Sequence, residues 1–378
     1  MQYRRFGANG TMVSALGFGC MRFPTTNGKP DGKVDRPEAV RMLRHAIDAG
    51  VNYLDTAKVY HGGTSEKVVG TALKNGYRSK VMVATKLPLW NVRSLRDADR
   101  ILDEQLTDLG TECVDYYLFH NLQAHSWQNC RKLKLPEWAL RKKKQGKIAH
   151  LGFSFHDSHA VFLDILNGFD SWEFCQIQYN YVNETVQAGT RGLHDAASKG
   201  LHVIVMEPLL GGVLANPPGE MGRLCKKNKW NPVDLAFRWL WDKPEVSLAL
   251  SGMSSMKQVE ANLEIADRGK QGGLGEKEKK AIDELQAAYK KALPIRCTKC
   301  GYCLPCPAGV DIPTAFEMYN NMTALPENAF LNKTLYSSLP PDRQASACTR
   351  CGACESKCPQ HLQIRTLLDK AHAVLAEV

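Results

Sequence analysis

The stretch Asp35-Arg36-Pro37-Glu38-Ala39-Val40-Arg41-Met42-Leu43-Arg44-His45-Ala46-Ile47-Asp48-Ala49-Gly50-Val51-Asn52-Tyr53-Leu54-Asp55 holds one complete helix-to-strand unit. Asp35 is a suitable cap, and Ala39, Val40, Leu43, Ala46 and Ile47 recur at helical spacing over 37–49. Gly50 stops that helix, and 52–55 reads as a short buried strand ending on a carboxylate.

The same alternation recurs through the first 292 residues. Further strands are expected at 15–19, 81–85, 114–119, 149–154, 174–178, 202–206 and 246–250. Helical patterns lie between most of them, among them 65–73, 95–109 and 233–241. Eight strands alternating with helices imply a parallel sheet, and at this length a closed (β/α)8 barrel fits best. An open doubly wound sheet is the alternative, but no G-x-G-x-x-G follows the first strand. The opening segments 3–6 and 12–14, split by Gly7-Ala8-Asn9-Gly10, read as a hairpin that plugs the barrel bottom. A Gly- and Lys-rich break at 268–275 precedes a helical run at 276–292, and Pro294 opens a different composition. The expected domains are therefore 1–293 and 294–378.

The second region holds eight of the 13 cysteines. Cys297, Cys300, Cys303 and Cys306 read C-x2-C-x2-C-x2-C-P, and Cys348, Cys351, Cys354 and Cys358 read C-x2-C-x2-C-x3-C-P. Three closely spaced thiolates suit one cubane, and a distal cysteine before proline ligates the other in two-cluster ferredoxins. Two [4Fe–4S] clusters are the expectation. Structural zinc usually takes two separated C-x-x-C pairs, and disulfides need an oxidising compartment. Cys20, Cys113, Cys130, Cys175 and Cys225 lie outside the runs and are expected to be buried or inert.

The 378 residues are 44% hydrophobic, enough for a large core in two domains. No stretch approaches the ~20 apolar residues of a membrane span, and 1–6 is charged rather than signal-like. A cytoplasmic location, where cluster thiols stay reduced, is expected. The net charge is +10, with basic runs at Arg141-Lys142-Lys143-Lys144 and Lys226-Lys227-Asn228-Lys229. Neither run belongs to a nucleic-acid-binding motif, so solvated helix ends explain them and no nucleic-acid partner is expected. A positive field suits a phosphorylated cofactor, an anionic substrate or an acidic redox partner protein.

Catalytic residues of such barrels sit at the C-terminal ends of strands. Asp55, Lys86 and His120 occupy the ends of the second, third and fourth strands, and Tyr60 follows Asp55 by five residues. Singly, each has a bland reading as cap, surface or core. Together at successive strand ends they form a candidate site.

These segments resemble the aldo-keto reductases over about residues 1–290. The resemblance rests on Gly50-Val51-Asn52-Tyr53-Leu54-Asp55-Thr56-Ala57 with Tyr60, Gly63-Thr64-Ser65-Glu66, Ala84-Thr85-Lys86, Asp115-Tyr116-Tyr117-Leu118-Phe119-His120 and Leu151-Gly152-Phe153-Ser154. It implies a catalytic tetrad of Asp55, Tyr60, Lys86 and His120 and a nicotinamide cofactor, NADPH or NADH. Tyr60 would exchange a proton with a carbonyl oxygen, its acidity raised by Lys86. Ser154 and Gln176 match positions that hold the nicotinamide carboxamide, although the usual Asn after that Ser is replaced in Ser154-Phe155-His156. Ser254, Lys257, Gln258 and Asn262 fall in a segment resembling the family's phosphate and adenine site, without its arginine. Cofactor preference is then expected to be weak, unless Arg191, Arg223 or Arg268 supplies a cation. The tail resembles the ferredoxin-like domain attached to a subgroup of these enzymes.

The leading expectation is an enzyme that interconverts a small carbonyl compound and its alcohol. The alternative is an iron–sulfur electron-transfer protein whose barrel binds nucleotide or flavin. A hydride carries two electrons and a cubane moves one at a time. No flavin fingerprint is present to join them.

Overall fold

The computed structural model describes all residues except 7–9, 29–31, 298–301, 325–328, 359 and 378. The chain divides into two compact units. The first comprises Met1–Leu210 and Val233–Glu276, the second Gly211–Pro232 and Lys277–Val378.

In the first unit, strands β1 (Tyr3–Arg5) and β2 (Met12–Ser14) pair antiparallel as a hairpin. Eight parallel strands follow: β3 (Leu16–Gly19), β4 (Tyr53–Asp55), β5 (Met82–Pro88), β6 (Val114–Leu122), β7 (Ile148–Phe155), β8 (Phe174–Gln178), β9 (His202–Met206) and β10 (Val246–Gly252). They close in sequence order, with β10 returning to β3 through Ala249 opposite Leu16. The (β/α)8 barrel expected from the alternation is the architecture observed. The helix Arg36–Asp48 starts where Asp35 Oδ1 accepts the Glu38 N–H at 3.2 Å. It ends before Gly50, whose φ of +100° suits glycine. Its core face is Ala39, Met42, Leu43, Ala46 and Ile47, so Met42 takes the place expected of Val40.

The hairpin closes the N-terminal end of the barrel. Phe6 is fully buried among Tyr53, Tyr116, Phe174 and His202, with ring centroids 4.8–6.4 Å away. Burial of such a side chain stabilises by about 1.5–3 kcal/mol. The Arg4 guanidinium donates to the carbonyls of Trp241 and Val246, tying the hairpin to the start of β10.

The basic run at 141–144 forms the last turn of the helix Leu135–Lys144, where cations meet the negative end of the helix dipole. In the second unit, Lys226 and Lys227 likewise close the helix Gly219–Asn228.

The second unit is helical. Helices Ile312–Ala324, Ala329–Ser337 and Ile364–Leu375 enclose Val310, Phe316, Tyr319, Tyr336, Leu368 and Ala371. By sequence, 313–320 reads as a proline-primed helix and the rest of 311–347 as loop-rich; the first helix runs four residues further, and Ala329–Ser337 is helical, with Asn332 and Tyr336 buried. Asn320 clamps Ile295 by bonds of 2.8 and 2.7 Å to its N–H and carbonyl. Cys297, Cys303, Cys306, Cys348 and Cys358 pack against this core, and Cys354 is buried in it. Among the described residues, no helix is long and apolar enough to cross a membrane.

Candidate functional site

Two strands run further than their sequence pattern indicates. β5 continues to Pro88 and β6 to Leu122, because pairing persists through Lys86 opposite Leu118 and Pro88 opposite His120. Lys86 and His120 therefore lie within the last turns of their strands, not just beyond them. Asp55 is the last residue of β4, and Tyr60 opens a short turn, Tyr60–Gly63.

These four residues come together. Lys86 is 1% exposed. Its Nζ donates to Asp55 Oδ1 at 2.7 Å and to the Thr56 carbonyl at 2.8 Å, and lies 4.9 Å from the centre of the Tyr60 ring. Tyr60 meets His120 edge-on, with centroids 6.1 Å apart, and Trp90 packs on the other side of His120 at 5.1 Å. Burial disfavours the Lys86 charge, but Asp55 and Tyr60 more than offset it and its pKa is raised. Burial lifts the Asp55 carboxyl, against the pull of Lys86. Burial likewise raises the Tyr60 phenol above its ordinary value, with Lys86 pulling it down and Asp55 adding to the rise. The ammonium opposes that shift without reversing it. The phenol accordingly stands in its acid form at neutral pH. His120 is held neutral, first by burial and then by Lys86 and His156.

A second buried layer fixes Lys86 from below. Glu66 Oε1 accepts from Thr85 Oγ1 at 2.6 Å and from Gln105 Nε2 at 2.8 Å. Gln105 Nε2 also donates to the Lys86 carbonyl at 3.0 Å, and its Oε1 accepts from Tyr117. Replacing Lys86 with Met is expected to abolish turnover and to lower stability by about 3–5 kcal/mol, since it strands a buried carboxylate. Denaturant unfolding and a turnover assay of the same preparation check both.

Tyr60 is followed by three residues with positive φ, His61, Gly62 and Gly63. His61 Nε2 accepts the Phe23 N–H at 3.0 Å, and the two rings stack 5.5 Å apart. Burial and the Arg22 cation lower the His61 pKa below 6.5. Only the neutral ring can accept that bond. Its stabilisation is thus complete above pH 6.5, the unfolded value, and is lost as pH falls through the lower folded value. His61→Gln, which keeps an acceptor, should show a shallower loss of stability in acid, by about 1 kcal/mol in denaturant unfolding across pH.

On the barrel wall, Ser154 in β7 and Gln176 in β8 are register partners, both buried. Ser154 Oγ accepts the Asn121 N–H at 2.8 Å, where β6 bulges and Asn121 takes φ +58°. Gln176 Nε2 contacts Met206 Sδ at 3.7 Å, while its Oε1 is buried without a partner. His156 is half-buried, its Nδ1 buried and unpartnered, and burial pushes its pKa down to about 4 against the opposing effect of Gln187.

After β10, Ser255 caps the helix Met256–Ala266 and the Ser254 N–H is taken by Gln258 Oε1 at 2.7 Å. Gln258 therefore serves the backbone. Asn262 is buried and donates to Ser251 Oγ at 3.0 Å, so it ties helix to strand. Ser254 and Lys257 remain exposed. Arg22 joins them: its carbonyl accepts from Ser254 Oγ at 2.9 Å, and a Cβ on Gly252 would meet its Cγ at 2.8 Å. Arg22 is not among the arginines expected from sequence, where its one signal is a basic residue just past the end of the first barrel strand. Of those expected, Arg223 pairs with Glu220 and Arg268 with Asp234.

Residues 15–287 match the aldo/keto reductase family. The chain belongs to that family. Residues 296–362 match a 4Fe-4S dicluster domain. L-galactose dehydrogenase of Arabidopsis thaliana is 30% identical over 302 residues, covering 70% of this chain and 87% of that protein. An aldo-keto reductase from Bacillus halodurans superposes with a TM-score of 0.62 at 23% identity, over 75% of this chain and 96% of that one. One from Klebsiella pneumoniae in complex with NADPH gives 0.60 at 23% identity, over 75% and 95%. Both share the barrel fold. This aldo/keto reductase is thus an NAD(P)-dependent oxidoreductase with a C-terminal 4Fe-4S domain.

In that C-terminal domain, Cys354 interacts electrostatically with both Cys348 and Cys306. Cys300 lies outside the described residues. Among the described residues, no three candidate ligands converge on a single-ion site. The other five cysteines are free thiols, Cys113 half-buried and Cys20, Cys130, Cys175 and Cys225 buried. Burial pushes Cys130 up to about 12.

Proposed function

We propose that the barrel interconverts a small carbonyl compound and its alcohol by hydride transfer, with Tyr60 as acid and base. The observation that carries this reading is the buried Lys86 ammonium, bonded to Asp55 and set against the Tyr60 ring. When bound, NADPH or NADH supplies or accepts the hydride. Tyr60 gives its proton to the carbonyl oxygen, and the adjacent Lys86 stabilises the phenolate left behind. Asp55 keeps Lys86 charged and in place. Neutral His120 offers a ring N–H to orient the same oxygen. The residues present fit the nicotinamide: the orphaned Gln176 Oε1 is an acceptor suited to its carboxamide, beside Ser154. Ser254, Lys257 and Arg22 supply the phosphate end, while Gln258 and Asn262 shape the helix behind them. Turnover of both nucleotides with a panel of small aldehydes, ketones and aldoses tests the reading, and no reaction with any carbonyl or alcohol would sink it.

Arg22 makes the nucleotide choice testable. NADPH is expected to bind more tightly than NADH, and Arg22→Ala to reduce that difference by roughly tenfold through loss of about 1–2 kcal/mol of charge-assisted bonding. Nucleotide titrations of both proteins decide it, and an unchanged ratio would remove Arg22 from the site.

The domain division proposed is 1–293 and 294–378, with two [4Fe–4S] clusters in the second. The family matches end at 287 and resume at 296, on either side of that boundary. Cys297, Cys300, Cys303 and Cys358 would hold one cluster, and Cys348, Cys351, Cys354 and Cys306 the other. Cytoplasmic residence keeps these thiols reduced, and a redox partner protein is the expected acceptor or donor for the clusters.

A further inference from the structure

The turn Cys351-Gly352-Ala353-Cys354 bends at Gly352, with φ +79°, and one side chain from the helix Ile364–Leu375 covers it. A Cβ on Gly352 would lie 3.6 Å from Arg365 Cζ and 3.7 Å from Nη1. The guanidinium is therefore in contact with the turn itself. Two guanidinium bonds and one backbone bond hold Arg365 there. Its Nη2 donates to Glu355 Oε2 at 2.7 Å, the Arg365 N–H donates to Glu355 Oε1 at 2.9 Å, and Nη1 donates to the Arg350 carbonyl at 3.4 Å. Cys348 and Cys354 lie within electrostatic reach of Arg365, and Glu355 acts on Cys354 with the opposite sign. The Arg350 guanidinium is engaged by Asp369.

We propose that Arg365 and Glu355 form an opposed charge pair that sets the reduction potential of the cluster held by Cys348 and Cys354, Arg365 raising it and Glu355 lowering it. The proposal rests on the dicluster reading. It does not depend on where Cys306 and Cys358 bind, because Cys348 and Cys354 share a cluster in either scheme. Reduction adds one electron to the cubane and neither makes nor breaks a bond. A fixed cation nearby stabilises the added negative charge, and a fixed anion opposes it. Arginine stays charged at every working pH, so the bias is permanent. The pair is partly exposed, with side chains 40% and 23% accessible, so the effect should weaken as salt is raised.

The test is an anaerobic dithionite titration of the cluster-loaded full chain, followed by electron paramagnetic resonance. Wild type is compared with Arg365→Gln, Arg365→Lys, Glu355→Gln and the double Gln variant. Arg365→Gln should move one midpoint negative by a tenfold change in the reduction equilibrium, 59 mV for one electron. Glu355→Gln should move the same midpoint positive, and the double variant should return towards wild type. Arg365→Lys should keep most of the original potential. Unmoved midpoints in loaded variants, or shifts of the same sign for Arg365→Gln and Glu355→Gln, would overturn the proposal and leave the pair as a structural tie. If Arg365→Gln fails to take up its cluster, Glu355→Gln alone decides: a positive shift supports the pair, and none refutes it. A wild-type chain that binds no clusters would instead remove the dicluster reading.

Discussion

Replacing Tyr60 with Phe is expected to lower carbonyl reduction by about 10²–10⁴-fold while leaving nucleotide affinity unchanged. Phe keeps the ring that meets His120 edge-on and underlies the Lys86 ammonium, so packing and the cation–π contact survive. The hydroxyl is lost, and with it the exchangeable proton and the hydrogen bond to Lys86. The direction of the phenol's shift adds a second signature. Burial raises its pKa, so reduction, which uses the phenol, should be flat through neutral pH. Alcohol oxidation uses the phenolate and should rise as pH climbs towards the raised value. Rate profiles in both directions, together with nucleotide titrations of the variant, measure this. Near-wild-type turnover of Tyr60→Phe would end the assignment of Tyr60 as the acid.

The barrel was legible because its strands are short apolar runs at regular spacing. β8 and β9 match their expected limits, and the other barrel strands start or stop within a few residues of theirs. The ends that moved furthest are those where a polar side chain continues a strand. Lys86 and His120 look like terminators in sequence, yet pairing between β5 and β6 carries on past them. The helix Ala124–Lys132 had no clear apolar period, since Trp127 and Cys130 are its only buried residues. At the start of the helix after β10, the bonds of two expected ligand contacts could not be read from residue type. Gln258 accepts a backbone N–H and Asn262 reaches Ser251. Arg22 was invisible because its position depends on β3 and β10 lying side by side, with Gly19 opposite Gly252 across 233 residues of chain. Helical period and strand alternation are local, whereas that adjacency exists only once the barrel closes.

Removing Cys306 together with Cys354 is expected to leave half of the iron in place, and this outcome separates the two ways of ligating the clusters. The wild-type chain should hold about eight irons and eight sulfides. In the swapped scheme, Cys306 and Cys354 serve the same cluster, so the double Ala variant loses one cluster and keeps about four irons. If each run held its own cluster, the same two changes would damage both, and iron would fall near zero. Cys303→Ala with Cys306→Ala gives the reciprocal result: near zero when swapped, about half when consecutive. Cys306 and Cys348 are both close enough to Cys354 to raise the pKa of its thiol, an arrangement compatible with the swapped scheme. The first run is one residue short of the usual C-x3-C ending, so the reach of Cys306 to an iron is the point that these variants examine. Cluster loss should be costly for folding as well. Six of the eight cysteine ligands lie in or against the core of Phe316, Tyr319 and Leu368, so an unligated turn exposes that core to water. Iron and sulfide counts on anaerobically purified double variants, with limited proteolysis of residues 294–378, give both readings from one preparation, and about half the iron in the Cys303/Cys306 variant would refute the swapped arrangement.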